Sequence, residues 1–179
     1  MRIVSGKHKG RFFSPPKSFS ARPTTDIAKE GLFNILNNRV DFEEISVLDL
    51  FAGTGSISFE FASRGCTNIT LVEINQQHLQ FIYKVIGDLH LDSIKPLRYD
   101  AFKFVEKRTK RFDIIFADPP YTLKDIEKIP ELILSKNLLN PNGLLIVEHP
   151  KSIDFSDSPF FKFIRKYGSV CFSFFGEQI

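Results

Sequence analysis

The sequence predicts an α/β fold, a mostly parallel sheet with helices on both faces, carrying a small basic hairpin at its N-terminus. Three observations lead there. Short apolar runs alternate with amphipathic stretches from residue 46 to residue 150, as in a sheet whose crossovers are helices. The first run breaks at Gly53-Thr54-Gly55, a strand-to-helix turn of the kind that admits a ligand to the backbone. Asp49, Glu73, Asp100 and Asp118 all fall at the carboxyl ends of predicted strands, the edge where open α/β sheets bind ligands.

The elements follow in order. Ahead of Asp26 the chain carries Arg2, Lys7, Lys9, Arg11, Lys17 and Arg22 with His8 and no acid. Ile3-Val4 and Phe12-Phe13 flank Gly6 to Gly10 as a two-stranded ribbon would. Residues 1–25 therefore read as a basic hairpin arm and 26–179 as the main domain. Such cations, with Phe12, Phe13 and Phe19 between them, suit a nucleic-acid backbone with Arg2, Lys7, Lys9, Arg11 and Arg22 as its contacts; a merely solvated hairpin is the alternative. A helix follows, capped by Thr25 or Asp26, with Ala28, Leu32, Ile35 and Leu36 on one face. After a polar linker (37–44), strands are expected near 46–52, 68–73, 94–99, 112–117 and 143–148, with helical patterns between, the clearest from Asn75 to Leu89. Phe160–Arg165 and Val170–Phe175 read as an antiparallel pair closing the sheet.

Length and composition fit one soluble domain: 179 residues, 42% hydrophobic, 25% charged, net charge +3. No run is long enough to span a bilayer, and the first residues lack the apolar core of a signal peptide. Two distant cysteines and four scattered histidines lack metal-ligand spacing, so no metal is expected, and the cysteines suit a reducing cytoplasm.

The chemistry sits in two stretches. Asp118-Pro119-Pro120-Tyr121 ends an apolar strand. The lone pair of a nucleobase amine is delocalised into its ring, so methylating it needs acceptors that hold its N–H bonds and turn the lone pair outward. A carboxylate and the next backbone carbonyl can do this, the proline pair keeps that carbonyl edge rigid, and Tyr121 offers a stacking face. In the second stretch, Asp49 and Phe51-Ala52-Gly53 precede Gly55, but Ser58 stands where a dinucleotide fingerprint needs its third glycine. An acid at that turn favours a cation over a pyrophosphate, and S-adenosylmethionine (a sulfonium and an α-amino group, no phosphate) fits. Glu73, 18 residues after Gly55, has the spacing of a ribose-binding acid. Asp100, before Ala101, would bring a polar group beside the adenine.

Together Asp49–Ile57 (DLFAGTGSI), Val72–Asn75 (VEIN), Tyr99–Phe102 (YDAF) and Asp118–Tyr121 (DPPY) resemble the Rossmann-like S-adenosylmethionine-dependent methyltransferases of exocyclic amines. More narrowly, Arg2–Phe13 (RIVSGKHKGRFF), Arg22–Asp26 (RPTTD) and Ala28–Leu36 (AKEGLFNIL) resemble the RsmD family, which methylates the 2-amino group of a guanine in small-subunit ribosomal RNA. The likeness runs from Arg2 to about Gly168. It implies Asp118, Pro119, Pro120 and Tyr121 at the reacting amine, and Asp49, Phe51, Ala52, Gly53, Gly55, Glu73, Asp100 and Ala101 around the cofactor. It also implies ribosomal RNA, within the small subunit, as partner. Ile27, Ala28 and Gly31 depart from the family pattern; Gly31, where alanine is usual, should loosen its helix by roughly 1 kcal/mol. Two rivals stay open. A DNA adenine methyltransferase could use the same motif, although no segment is left for target recognition, and a non-catalytic RNA-binding or assembly factor could keep the fold.

Overall fold

The computed structural model describes residues 1–17, 19, 24–124 and 126–176. Seven strands form one sheet in the order β3-β2-β1-β4-β5-β7-β6. These are β1 (Ser46–Leu50), β2 (Asn68–Glu73), β3 (Ile94–Arg98), β4 (Phe112–Ala117), β5 (Leu139–Pro150), β6 (Phe161–Tyr167) and β7 (Val170–Phe175). The first five are parallel, while β7 runs antiparallel to both β5 and β6. The last two strands thus close the sheet as an antiparallel pair, and β7 is the inner one.

Period-two burial splits the core between two faces. Val47, Ile69, Ile114, Phe116, Ile146 and Phe172 face α1 (Asp26–Asn37), α2 (Ser56–Ser63) and α3 (Gln76–Leu89). Leu48, Leu50, Ile115, Leu145 and Val147 face α4 (Ala101–Lys107) and α5 (Ile129–Ser135). The starts of α1 to α4 have local causes. Thr25 caps α1 through Ala28 N–H, Asn75 caps α3 through Gln77 and His78, and Asp100 caps α4 through Lys103 at 2.9 Å. Helix α2 begins at Gly55, whose φ of 77° and whose contact with Phe59 (2.9 Å from an added Cβ) both demand glycine.

Two details run against the sequence pattern. Gly31 does not merely loosen α1: a Cβ there would lie 2.2 Å from the Tyr167 ring, so the glycine makes room for β6. Phe33 and Lys29 join the buried face of α1, whereas Ile35 is only partly covered. Lys29 is 1% exposed; its ammonium reaches the Arg2 carbonyl and lies 3.5 Å from Glu60 Oε1. Glu60 also takes the Val4 N–H at 2.6 Å and pairs with Arg64.

That cluster docks the N-terminal segment. The ribbon is reduced to one bridge, Arg2 with Phe12, and a few backbone bonds such as Ile3 N–H to Arg11 O. Ile3 is 1% exposed, and Lys7 and His8 donate backbone N–H groups to Ser63 O and Oγ at the end of α2.

Candidate active site

Strand order reverses between β1 and β4, and there a cavity of about 630 Å³ opens at the carboxyl edge of the sheet. Asp49, Phe51, Ala52, Gly53, Glu73, Asp100, Ala101, Asp118, Pro120 and Tyr121 all line it. Gly55 sits just behind the wall as the α2 cap, and Pro119 is buried beside Asp118. The sequence reading thus gathers its cofactor and amine residues around one space.

Asp49 lies at the inner end of β1, 1% exposed, and its Oδ2 accepts the Ser58 hydroxyl at 2.6 Å. The serine that replaces a fingerprint glycine therefore aims this acid. Burial pushes the Asp49 carboxyl up to about 7, a rise that Ser58 opposes and Glu73 adds to. Phe51 bends the chain with a φ of 59°, and its ring packs edge-on to Phe102. Glu73 Oε2 accepts from Gly53 N–H and Oε1 from Asn75 N–H, each at 2.7 Å, with His78 Nδ1 3.6 Å from Oε1. Asp100 is spoken for on one side by its own helix cap.

Asp118 continues β4, its N–H bonded to Leu50 O at 3.3 Å, which ties the tips of β4 and β1 together. Protein surrounds its carboxyl except where the cavity opens. Burial, then the nearby charges of Glu148 and Asp49, hold it protonated well above the usual carboxylate range. Tyr121 is 47% exposed, and burial of its hydroxyl beside Glu148 raises its proton affinity too.

The sequence reading did not single out Glu148, which is 4% exposed at the end of β5. Its Oε2 accepts the Thr24 hydroxyl at 2.9 Å and its Oε1 faces the Tyr121 hydroxyl at 3.5 Å; burial lifts its carboxyl to about 7. The signal was there, since Glu148 ends an apolar run just as Asp118 does. Its neighbour His149 faces away, buried, with Nδ1–H donating to Pro150 O at 2.9 Å and Nε2 accepting from Ser173 at 2.8 Å.

The basic residues stand elsewhere. Lys7, Lys9 and Arg11 are exposed near the C-terminal end of α2, while Ser56, its first residue, lines the cavity. An eight-residue helix is ~12 Å long, so these cations sit about that far from the cavity edge along it. Arg2 pairs with Asp26 at 3.2 Å and Glu30 at 3.6 Å. Arg22 lies outside the described residues.

The lining chemistry tests which ligand fits. Asp49, Glu73, Asp100, Asp118 and Glu148 all border the space, and among the described lining residues there is no Lys or Arg. Such a wall repels phosphate and attracts a cation. The Ser56 hydroxyl is buried on the same wall with no hydrogen-bond partner among the described residues. A compact cationic ligand with hydroxyl and amino groups, as in S-adenosylmethionine, satisfies both observations.

Known proteins agree with this chemistry. A family model described as "Conserved hypothetical protein 95" matches residues 1–176. The Ribosomal RNA small subunit methyltransferase D of Buchnera aphidicola subsp. Acyrthosiphon pisum is 33% identical over 150 residues, covering 83% of this chain and 78% of that one. Its Escherichia coli K12 namesake is 30% identical over 148 residues, 83% and 74% of the two chains. A solved structure, the putative methyltransferase yhhF of Escherichia coli, superposes with a TM-score of 0.84 at 25% identity over 98% and 96% of the two chains. A family match along nearly the whole chain, around a cavity whose charge suits a sulfonium, makes this protein a member of the RsmD family and an S-adenosylmethionine-dependent methyltransferase.

Proposed function

We propose that the chain methylates the exocyclic 2-amino group of a guanine in small-subunit ribosomal RNA, acting in the cytoplasm. The observation that carries this reading is Asp118, a carboxyl at the tip of β4 that opens on the same cavity as Asp49 and Glu73. The names of the Buchnera and Escherichia relatives support the ribosomal substrate.

S-adenosylmethionine, when bound, supplies a methyl group on a positively charged sulfur. On this reading Asp49 and the loop Phe51-Ala52-Gly53, with Gly55 shaping its turn, receive the methionine end. Glu73 accepts the ribose hydroxyls, and Asp100 with Ala101 borders the adenine. Asp118 and the Pro119 carbonyl accept the two N–H bonds of the amine and turn its lone pair toward the methyl group. Pro120 fixes that carbonyl edge, and Tyr121 stacks the guanine, which leaves its own helix or loop to enter. Lys7, Lys9 and Arg11 contact the RNA backbone, and Arg2 and Arg22 are assigned to the same role.

The test is tritiated methyl incorporation into purified small subunits, bare ribosomal RNA and duplex DNA, followed by nucleoside analysis. We expect 2-methylguanosine, chiefly in the assembled subunit, because one compact domain reads shape better than long sequence. Methyladenine in DNA would overturn the substrate. Asp118→Ala should abolish transfer while cofactor affinity stays within a few-fold; near-parental turnover would remove Asp118 from the amine.

A further inference from the structure

One buried carboxyl at the cavity has no part in that account. Phe116 of β4 pairs with Ile146 of β5 on the face toward α1 and α2. Two residues further along each chain, with side chains alternating, Asp118 and Glu148 come up side by side on that same face. Their surroundings differ. Two hydroxyls, Thr24 at 2.9 Å and Tyr121 at 3.5 Å, point at the Glu148 oxygens, and such donors favour the ionised form. No donor among the described residues bonds to the Asp118 carboxyl, and the charges acting on it, Glu148 and Asp49, are both negative. Opposite Glu148 on β7 stands Phe172, and beyond it on β6 Arg165 lays its guanidinium over the Phe163 ring, so among the described residues no cation pairs with Glu148.

We propose that Glu148 is a positioning residue that makes Asp118 the seat of the proton lost by the target amine. Glu148 keeps the negative charge, and its neighbour becomes the stronger base of the two. This rests on the reading of Asp118 given above. With the sulfonium charge in the cavity, Asp118 is ionised and accepts an amine N–H bond. The amine nitrogen bonds to the methyl carbon, the carbon–sulfur bond breaks with its electron pair left on sulfur, and the nitrogen's proton passes to an Asp118 oxygen. One positive and one negative charge disappear together. Once the positive charge is gone, the negative charges of Glu148 and Asp49 act on Asp118 unopposed, so its proton affinity rises just as the proton arrives.

The test uses Glu148→Gln, which keeps the size and an acceptor for Thr24 but removes the charge. Infrared difference spectra of ligand-free protein carrying carbon-13-labelled aspartate should show a protonated Asp118 band near neutral pH, assigned by its loss in Asp118→Asn. In Glu148→Gln that band should titrate lower by about one pH unit or more. The acid limb of single-turnover methyl transfer at saturating cofactor should move down with it, and the plateau rate should fall about tenfold or more, with RNA KM within a few-fold of parent. A band and an acid limb at parental pH would overturn the proposal. If circular dichroism shows that Glu148→Gln does not fold, Thr24→Val takes its place. Losing the nearer donor should move the proton from Asp118 to Glu148, read by labelling each acid in turn, and an unmoved Asp118 band would equally overturn it. The infrared result is obtained without RNA, so it stands apart from whether Asp118 orients the amine, which Asp118→Asn turnover decides.

Discussion

Gly53 donates its backbone N–H to Glu73 Oε2 at 2.7 Å, so the acid that ends β2 also clamps the glycine loop that follows β1. The other oxygen holds Asn75 N–H at the same distance, at the start of α3. Glu73→Ala therefore removes a ligand acceptor and two loop contacts together. Cofactor affinity should fall by on the order of 1.5–3 kcal/mol, the worth of a charge-assisted hydrogen bond. Glu73→Gln, which keeps one acceptor, should fall between. Calorimetry decides: an unchanged dissociation constant would leave Glu73 with the loops alone.

The cavity's charge makes both stability and binding depend on pH. Asp49 and Glu148 are lifted from 3.8 and 4.5 to about 7, and Asp118 is lifted as well. Between the unfolded and folded values the native state holds more protons than the unfolded chain, so these groups favour folding at low pH and withdraw that support as pH rises through about 7. A cationic ligand works in the opposite sense, since it favours the ionised carboxylates. Cofactor affinity should increase from pH 6 to pH 8 with release of a proton, seen as a binding enthalpy that changes with buffer ionisation heat. Melting curves across that range should show the ligand's stabilisation growing with pH. A pH-independent Kd would mean that the cation does not meet these acids.

Gly31→Ala should cost stability although alanine is the better helix former. The added methyl would lie 2.2 Å from the Tyr167 ring, and relieving such overpacking costs about 1–3 kcal/mol, more than the ~1 kcal/mol of propensity gained. Urea denaturation of Gly31→Ala, Tyr167→Ala and the double variant measures this. Once Tyr167 is truncated, the alanine should become neutral or favourable. A stabilised single variant would show that the ring swings aside freely.

Replacing Lys7, Lys9 and Arg11 with alanine should weaken RNA binding and leave cofactor affinity unchanged. Each lost phosphate contact should lower the slope of log K against log salt by somewhat under one. Because these cations sit about the length of α2 from the cavity edge, the catalytic rate on saturating RNA should also hold. Equal slopes for parent and variant would mark the tip as a solvated turn.

Much of this site was legible because each strand tip carries a polar residue after an apolar run, a local signal that survives without an alignment. Asp49, Glu73, Asp100 and Asp118 stand out that way, and all four line the cavity. Glu148 ends an apolar run too, but only the pairing of β5 with β4 sets it beside Asp118. The role of Ser58 was half legible: the sequence showed that it was not glycine, and the fold shows that it bonds to Asp49. The N-terminal segment was the least legible part. Its charges describe an exposed arm, while Ile3 and Val4 tie it to α2 through contacts far apart in the chain.

That anchoring has a consequence in time. The Val4 amide and the Lys29 ammonium both meet Glu60, so the site that receives the first residues does not exist until α2 has formed. The segment around Val4 must wait for the 56 residues up to Glu60 before it can dock, and loop closure of that span precedes any gain from it. During synthesis this basic segment is therefore made well before the surface that receives it. Until then its cations are free to meet whatever polyanion is nearest.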